Sequence, residues 1–200
     1  MRRRAFLIGA PALLAACSTK PRVFASAERV LAVRAPNTGQ TGLAVFTSFN
    51  VGSNNGAHTA LFIHADEHVI FDAAGSFAHP SLPEQHDVIF GANDRVRTTF
   101  VRYHTRSTYW TTLQSFDVSP ETARWVFDAA RQAGPVPDAF CTRSISTILH
   151  EAPDMPVQIR PSWFPNALHD QLLDAPGVTR EEFREDDDAD KERHWDTNPL

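Results

Sequence analysis

His58-Thr59-Ala60-Leu61-Phe62-Ile63-His64, then Ala65-Asp66-Glu67, then His68-Val69-Ile70-Phe71-Asp72, reads as two apolar strands joined by a polar turn. If the turn is those three residues, His58 and Asp72 are diagonal cross-strand neighbours on one face, and a carboxylate there can reach the imidazole. A two-residue turn would set them on opposite faces. Working outward, residues 29–34, 43–50, 88–90, 96–104 and 109–118 carry enough Val, Leu, Ile and Phe to read as further strands, and Val51-Gly52-Ser53-Asn54-Asn55 as a loop. Ser119-Pro120-Glu121 opens a helix with a capping hydroxyl, a first-position Pro and a first-turn acid. Ala123, Val126, Phe127 and Ala130 give it an apolar face, and Gly134-Pro135 ends it. A second helix is expected from Asp138 to just before Pro153, with Cys141, Ile145, Ile148 and Leu149 along one stripe. A third, short one is expected over 164–173. The fold class is α+β: an antiparallel sheet packed against a cysteine-bearing helix.

The two cysteines sit in different surroundings. Cys17 closes Leu14-Ala15-Ala16-Cys17 after a short apolar run, where bacterial lipoproteins are cleaved and acylated. Its use there leaves Cys141 as the one thiol of the mature chain. Cys141 falls in the first turn of its helix, where unsatisfied N–H groups and the helix dipole favour thiolate over thiol. Those N–H groups also suit a tetrahedral oxyanion. A nucleophilic thiol needs a base and a group that orients it. His58 and Asp72 are the candidates, from the hairpin register.

The stretches 58–63 and 69–75, the latter running on into Ala73-Ala74-Gly75, resemble the His strand and following strand of NlpC-type papain-like hydrolases. Here His58 precedes Cys141, the order of the circularly permuted branch. Phe140-Cys141-Thr142-Arg143, with Ile148-Leu149 beyond, is similar to the cysteine helix of that branch, and most of all to the periplasmic domain of Lnb-type lipoprotein N-acyltransferases. The resemblance covers about residues 42–149. It implies a permuted papain-like fold with Cys141 as nucleophile, His58 as base and Asp72 as orienting acid. Two departures stand out: Phe140 occupies a position that is often Asn, and the third catalytic position varies in the family.

Residues 1–16 read as a signal peptide, with basic Arg2-Arg3-Arg4 before an apolar stretch too short to span a bilayer. Arg3-Arg4-Ala5-Phe6-Leu7 fits the twin-arginine route, and the Sec route accommodates it equally. Residues 17–28 form a lipidated N-terminus and linker, 29–175 the papain-like domain and 176–200 an acidic tail, disordered from about Arg180 by composition. That tail lacks the spacing of a calcium loop. Removing the leader's three arginines takes the formal charge from −5 to −8, which argues against a nucleic-acid partner. The expected setting is the periplasmic side of the cell envelope, held to a membrane by N-terminal acyl chains. Ser18 rather than Asp after Cys17 favours the outer membrane.

The expected chemistry is hydrolysis or acyl transfer on an amide or ester, with a cell-wall peptide or a lipid or lipoprotein acyl group as substrate and no cofactor. The alternatives are an inactive binding module on the same fold and a metal-binding lipoprotein using His58, His64, His68, His79 and His86 with Cys141. Those histidines lack a standard zinc spacing.

Overall fold

A computed structural model describes residues 24–137, 139–186 and 188. The signal peptide, Cys17 and the end of the acidic tail lie outside the described residues. The described residues form an α+β fold with a seven-stranded antiparallel sheet and five helices. In chain order these are α1 (Ala27–Ala32), β1 (Gly42–Asn50), β2 (Gly56–His64), β3 (His68–Phe71), β4 (Glu84–Gln85), β5 (Val88–Phe90), α2 (Asp94–His104), β6 (Tyr109–Asp117), α3 (Pro120–Ala133), α4 (Cys141–Glu151), α5 (Pro165–Leu173) and β7 (Thr179–Phe183). The strands lie in the order β4-β5-β3-β2-β1-β6-β7.

Both faces of the sheet are covered, so β1, β2 and β3 read as nearly continuous apolar runs. Leu43, Val45, Leu61, Ile63, Val69 and Phe71 point to one side and pack against α3, α4 and α5. Ala44, Phe46, Ala60, Phe62 and Ile70 point to the other and pack against α2. The β2–β3 turn is the three-residue one, with His64 opposite His68 and Leu61 opposite Phe71.

Three segments differ from expectation. The expected strand over 29–34 is instead helix as far as Ala32: the Ser26 hydroxyl caps α1 by accepting the Arg29 N–H at 3.3 Å. Residues 96–104 are likewise helical. The Asn93 side chain caps α2 through the Val96 N–H at 3.1 Å, and Val96, Phe100 and His104 recur at a spacing of four along its buried face. The acidic tail begins with a strand: β7 pairs with β6 from Thr179↔Ser115 to Phe183↔Thr111. Its backbone completes the edge of the sheet, and Arg97 pairs with Glu181 at 2.5 Å. Low hydrophobicity did not mean disorder here, because ladder hydrogen bonds do not require apolar side chains.

Candidate active site

The site forms where β3 leaves β2. Their ladder stops at Leu61↔Phe71, so His58 to Ala60 run on beyond the end of β3. At the start of β2, Gly56 lies against α5: a Cβ there would stand 2.5 Å from Pro165 Cβ and 2.9 Å from the Asn166 nitrogen. The absent side chain lets the α5 N-terminus cross the strand, with the Gly56 N–H donated to Asn166 Oδ1.

Beyond Phe71 the chain folds back on itself. Gly75, at φ +57°, donates its N–H to the Asp72 carbonyl at 2.6 Å, a left-handed conformation that suits glycine. The reversal presents Ser76 and Phe77 to the buried Asp72. Oδ2 accepts the Phe77 N–H at 2.8 Å and lies 3.0 Å from Ser76 Oγ. His58 Nε2 stands 2.8 Å from Asp72 Oδ1 and 3.2 Å from Ser76 Oγ. The Oδ1 contact is an ion pair when the imidazole is protonated. With Nε2 committed to this acid, Nδ1 is the nitrogen left for a second partner.

That partner comes from α4. A β-turn, in which Phe140 donates its N–H to the Pro137 carbonyl at 3.1 Å, leads into the helix with Ala139 held at φ +70°. Such a backbone costs about 1 kcal/mol for a residue with a Cβ. Phe140 occupies the N-cap and supplies no capping side chain, whereas Asn93 and Ser119 cap α2 and α3. Cys141 opens the helix, buried at 5 % exposure, close enough to His58 for each group to shift the other's pKa toward its charged form. The Thr59 backbone N–H helps hold the thiol's pKa down, and the sulfur lies 3.9 Å from Thr142 Oγ1. One residue on, Thr142 Oγ1 and Thr59 Oγ1 meet at 2.9 Å in a fully buried contact that ties α4 to β2.

The electrostatics follow from this packing. Burial alone would lower the His58 pKa, but the Asp72 carboxylate and then the Cys141 thiolate outweigh it and raise the value from 6.5 to about 9. For Asp72, burial pushes upward and is outweighed by His58, His104 and the Phe77 N–H, which bring it to about 2. Burial likewise opposes ionisation of Cys141, but the His58 hydrogen bond and charge and the Thr59 N–H prevail and lower its pKa. The three shifts share one cause: each group favours the charged form of its neighbour.

Compared with known proteins, the chain matches no protein-family model, and neither a curated protein nor a solved structure matches it. The geometry brings Cys141 at the start of α4 to His58 and Asp72 of the β2–β3 hairpin, about 70 to 80 residues earlier in the chain. The other histidines named above do not join them. His64 and His68 face each other at the far end of the hairpin, ring centroids 4.7 Å apart; burial, then His68 and Arg97, lowers His64 to about 4. His86 stacks on Phe24 at 4.7 Å. Among the described residues, no group of three or more His, Cys, Asp or Glu side chains is arranged to hold a metal ion.

Two residues of the site were not legible in advance. Ser76 follows the Asp72–Gly75 reversal, and His104 stacks on His58 with centroids 5.3 Å apart and planes 15° apart. Read with helical spacing, Val96, Phe100 and His104 would have placed that imidazole on the sheet-facing side of α2.

Around the thiol the surface is aromatic. Phe140 packs edge-on against Trp163 at 4.7 Å, and the Arg143 guanidinium lies over the Trp163 ring at 5.8 Å. A groove of about 480 Å³ runs between α3 and α4, lined by Trp125, Ala129, Val136, Phe140, Arg143 and Ile148 among others.

Proposed function

We propose that this chain is a lipid-anchored, cell-envelope thiol hydrolase or acyltransferase with a permuted papain-like fold of the NlpC type. The observation that carries the reading is the placement of one imidazole between a buried carboxylate, 2.8 Å from Nε2, and a thiol at an uncapped helix start. Cys141 Sγ attacks the substrate carbonyl. Its proton resides on His58, and the oxyanion gathers at the first N–H groups of α4. Collapse breaks the C–N or C–O bond, and His58 gives the proton to the leaving group. The thioester is then opened by water, or by an amine or hydroxyl, whose proton passes to His58 as the thiolate is released and the pair is restored. Asp72 orients the imidazole and stabilises its charged form.

The substrate class is a cell-wall peptide or a lipid or lipoprotein acyl group. The test incubates wild-type protein with peptidoglycan fragments and, in parallel, diacyl lipids, and examines Cys141 by mass spectrometry for an added acyl or peptidyl mass. A thioester adduct that is absent in Cys141→Ser supports the reading. Equal turnover by wild type and Cys141→Ser would overturn it and favour an inactive binding module on this fold.

A further inference from the structure

A second imidazole sits behind the first. His104 is 2 % exposed, and its Nδ1 lies 2.8 Å from the Phe100 carbonyl, which can only accept, so Nδ1 carries a proton. Its Nε2 lies 2.9 Å from Ser76 Oγ. The same oxygen stands 3.0 Å from Asp72 Oδ2 and 3.2 Å from His58 Nε2.

Counting protons at that oxygen decides between two states. Ser76 has one hydroxyl proton. Given to His104 Nε2, it leaves Ser76 Oγ and the carboxylate oxygen facing each other at 3.0 Å with none between them. Given to Asp72, it requires His104 Nε2 to bring a proton of its own, and every contact then has a donor and an acceptor. We propose that His104 is a positioning residue of this site, protonated on both ring nitrogens, which acts as the fixed counter-charge of Asp72 and holds that carboxylate through the Ser76 hydroxyl.

Charge balance points the same way. With His104 cationic, the four groups Cys141, His58, Asp72 and His104 sum to zero as thiol with neutral imidazole and as thiolate–imidazolium pair. The tetrahedral intermediate and the acyl-enzyme are also neutral. With His104 neutral, those four groups carry a net negative charge in every one of these states, which is costly away from water. His58 is the ring that moves a proton, and His104 is the ring that does not. Among the groups facing His104 are His58 from β2, Asp72 and Ser76 from the segment after β3, and Tyr103 on α2 itself. Cys141 lies beyond His58, and the nearby buried Arg106 turns its Nε to the Tyr103 carbonyl at 3.3 Å. Phe46, Phe77 and Phe100 enclose the remainder of the ring.

The role of His58 here rests on the thiol chemistry proposed above, so the test avoids any substrate. Nitrogen-15 NMR of histidine-labelled wild-type protein at neutral pH is expected to show His104 with both nitrogens protonated. One bare nitrogen on His104 would overturn the proposal. In the second arm, the alkylation rate of Cys141 is followed against pH in wild type and His104→Gln. Loss of a nearby positive charge makes its neighbours hold protons more tightly, so the acid limb should move up by about one pH unit. A purely structural role would lower the melting temperature and leave the limb in place, which would also overturn it. Should His104→Gln fail to fold, the NMR arm still decides. Failure of either arm leaves the assignment of Cys141 as nucleophile untouched, and absence of turnover would not alter either readout.

Discussion

Asp72 takes on two tasks at the residue scale, and they separate by pH. Its carboxyl is depressed to about 2, so it stabilises the fold above the ordinary carboxylate range, and that contribution is lost as pH falls through about 2. His58 is raised to about 9, so its contribution is complete below about 6.5 and is lost as pH rises through about 9. Asp72→Asn should therefore cost most between about pH 4 and 6.5, on the order of 2–4 kcal/mol, with the gap to wild type narrowing at both ends. Denaturant unfolding across pH measures this, and a gap independent of pH would contradict it. For turnover, Cys141→Ser and His58→Ala should each lose roughly 10³-fold or more, and the double variant should be little worse than either, because nucleophile and base act as a unit. Asp72→Asn should retain measurable activity. Steady-state kinetics on the substrate found by acyl trapping checks the series.

At the scale of elements, the site depends on how α4 is fastened to β2. The buried Thr59–Thr142 hydroxyl pair is the most direct polar tie. Thr59→Val or Thr142→Val alone leaves one buried hydroxyl without its partner and should cost about 1–3 kcal/mol, whereas the double variant should lie close to wild type. Thermal melts of the four proteins close this cycle, and additive losses would show that the pair is not coupled. The same tie sets the height of Cys141 beside the Thr59 N–H, so alkylation of Cys141 should slow in the single variants. The uncapped start of α4 has a related logic. Phe140 gives up the side-chain cap that Asn93 and Ser119 provide elsewhere, which leaves the first N–H groups of α4 uncapped beside the sulfur.

For the whole molecule, the acidic strand β7 closes one edge of the sheet. Its Glu181 pairs with Arg97 at 2.5 Å, and Arg184 lies over Trp110 at 4.7 Å. Ending the chain at Val178 should bare the long β6 edge, lower the melting temperature and promote self-association, visible by size-exclusion chromatography as larger species. A monomer of unchanged stability would refute a structural role for β7. Among the described residues no helix is long and apolar enough to cross a membrane. The proposed anchor is Cys17, and Cys17→Ala should move the protein from the membrane to the soluble fraction after a high-salt wash. Retention in the membrane would show that another attachment holds it.

The parts legible in the sequence are those set by local spacing. The three-residue turn and the period of two place His58 and Asp72 on one face, and the capping pattern at Ser119 together with Gly134-Pro135 puts Cys141 near a helix start. What tertiary structure decided is everything whose energy comes from distant partners. The segment Asp94–His104 became a helix rather than a strand because its buried face covers the second side of the sheet. Thr179–Phe183 became a strand because β6 offered a free edge. Ser76 and His104, 28 residues apart, meet only after β3 turns away from β2 and α2 packs across the sheet. No periodicity announces such a meeting, since the burial that brings those two groups together is a property of the assembled layers.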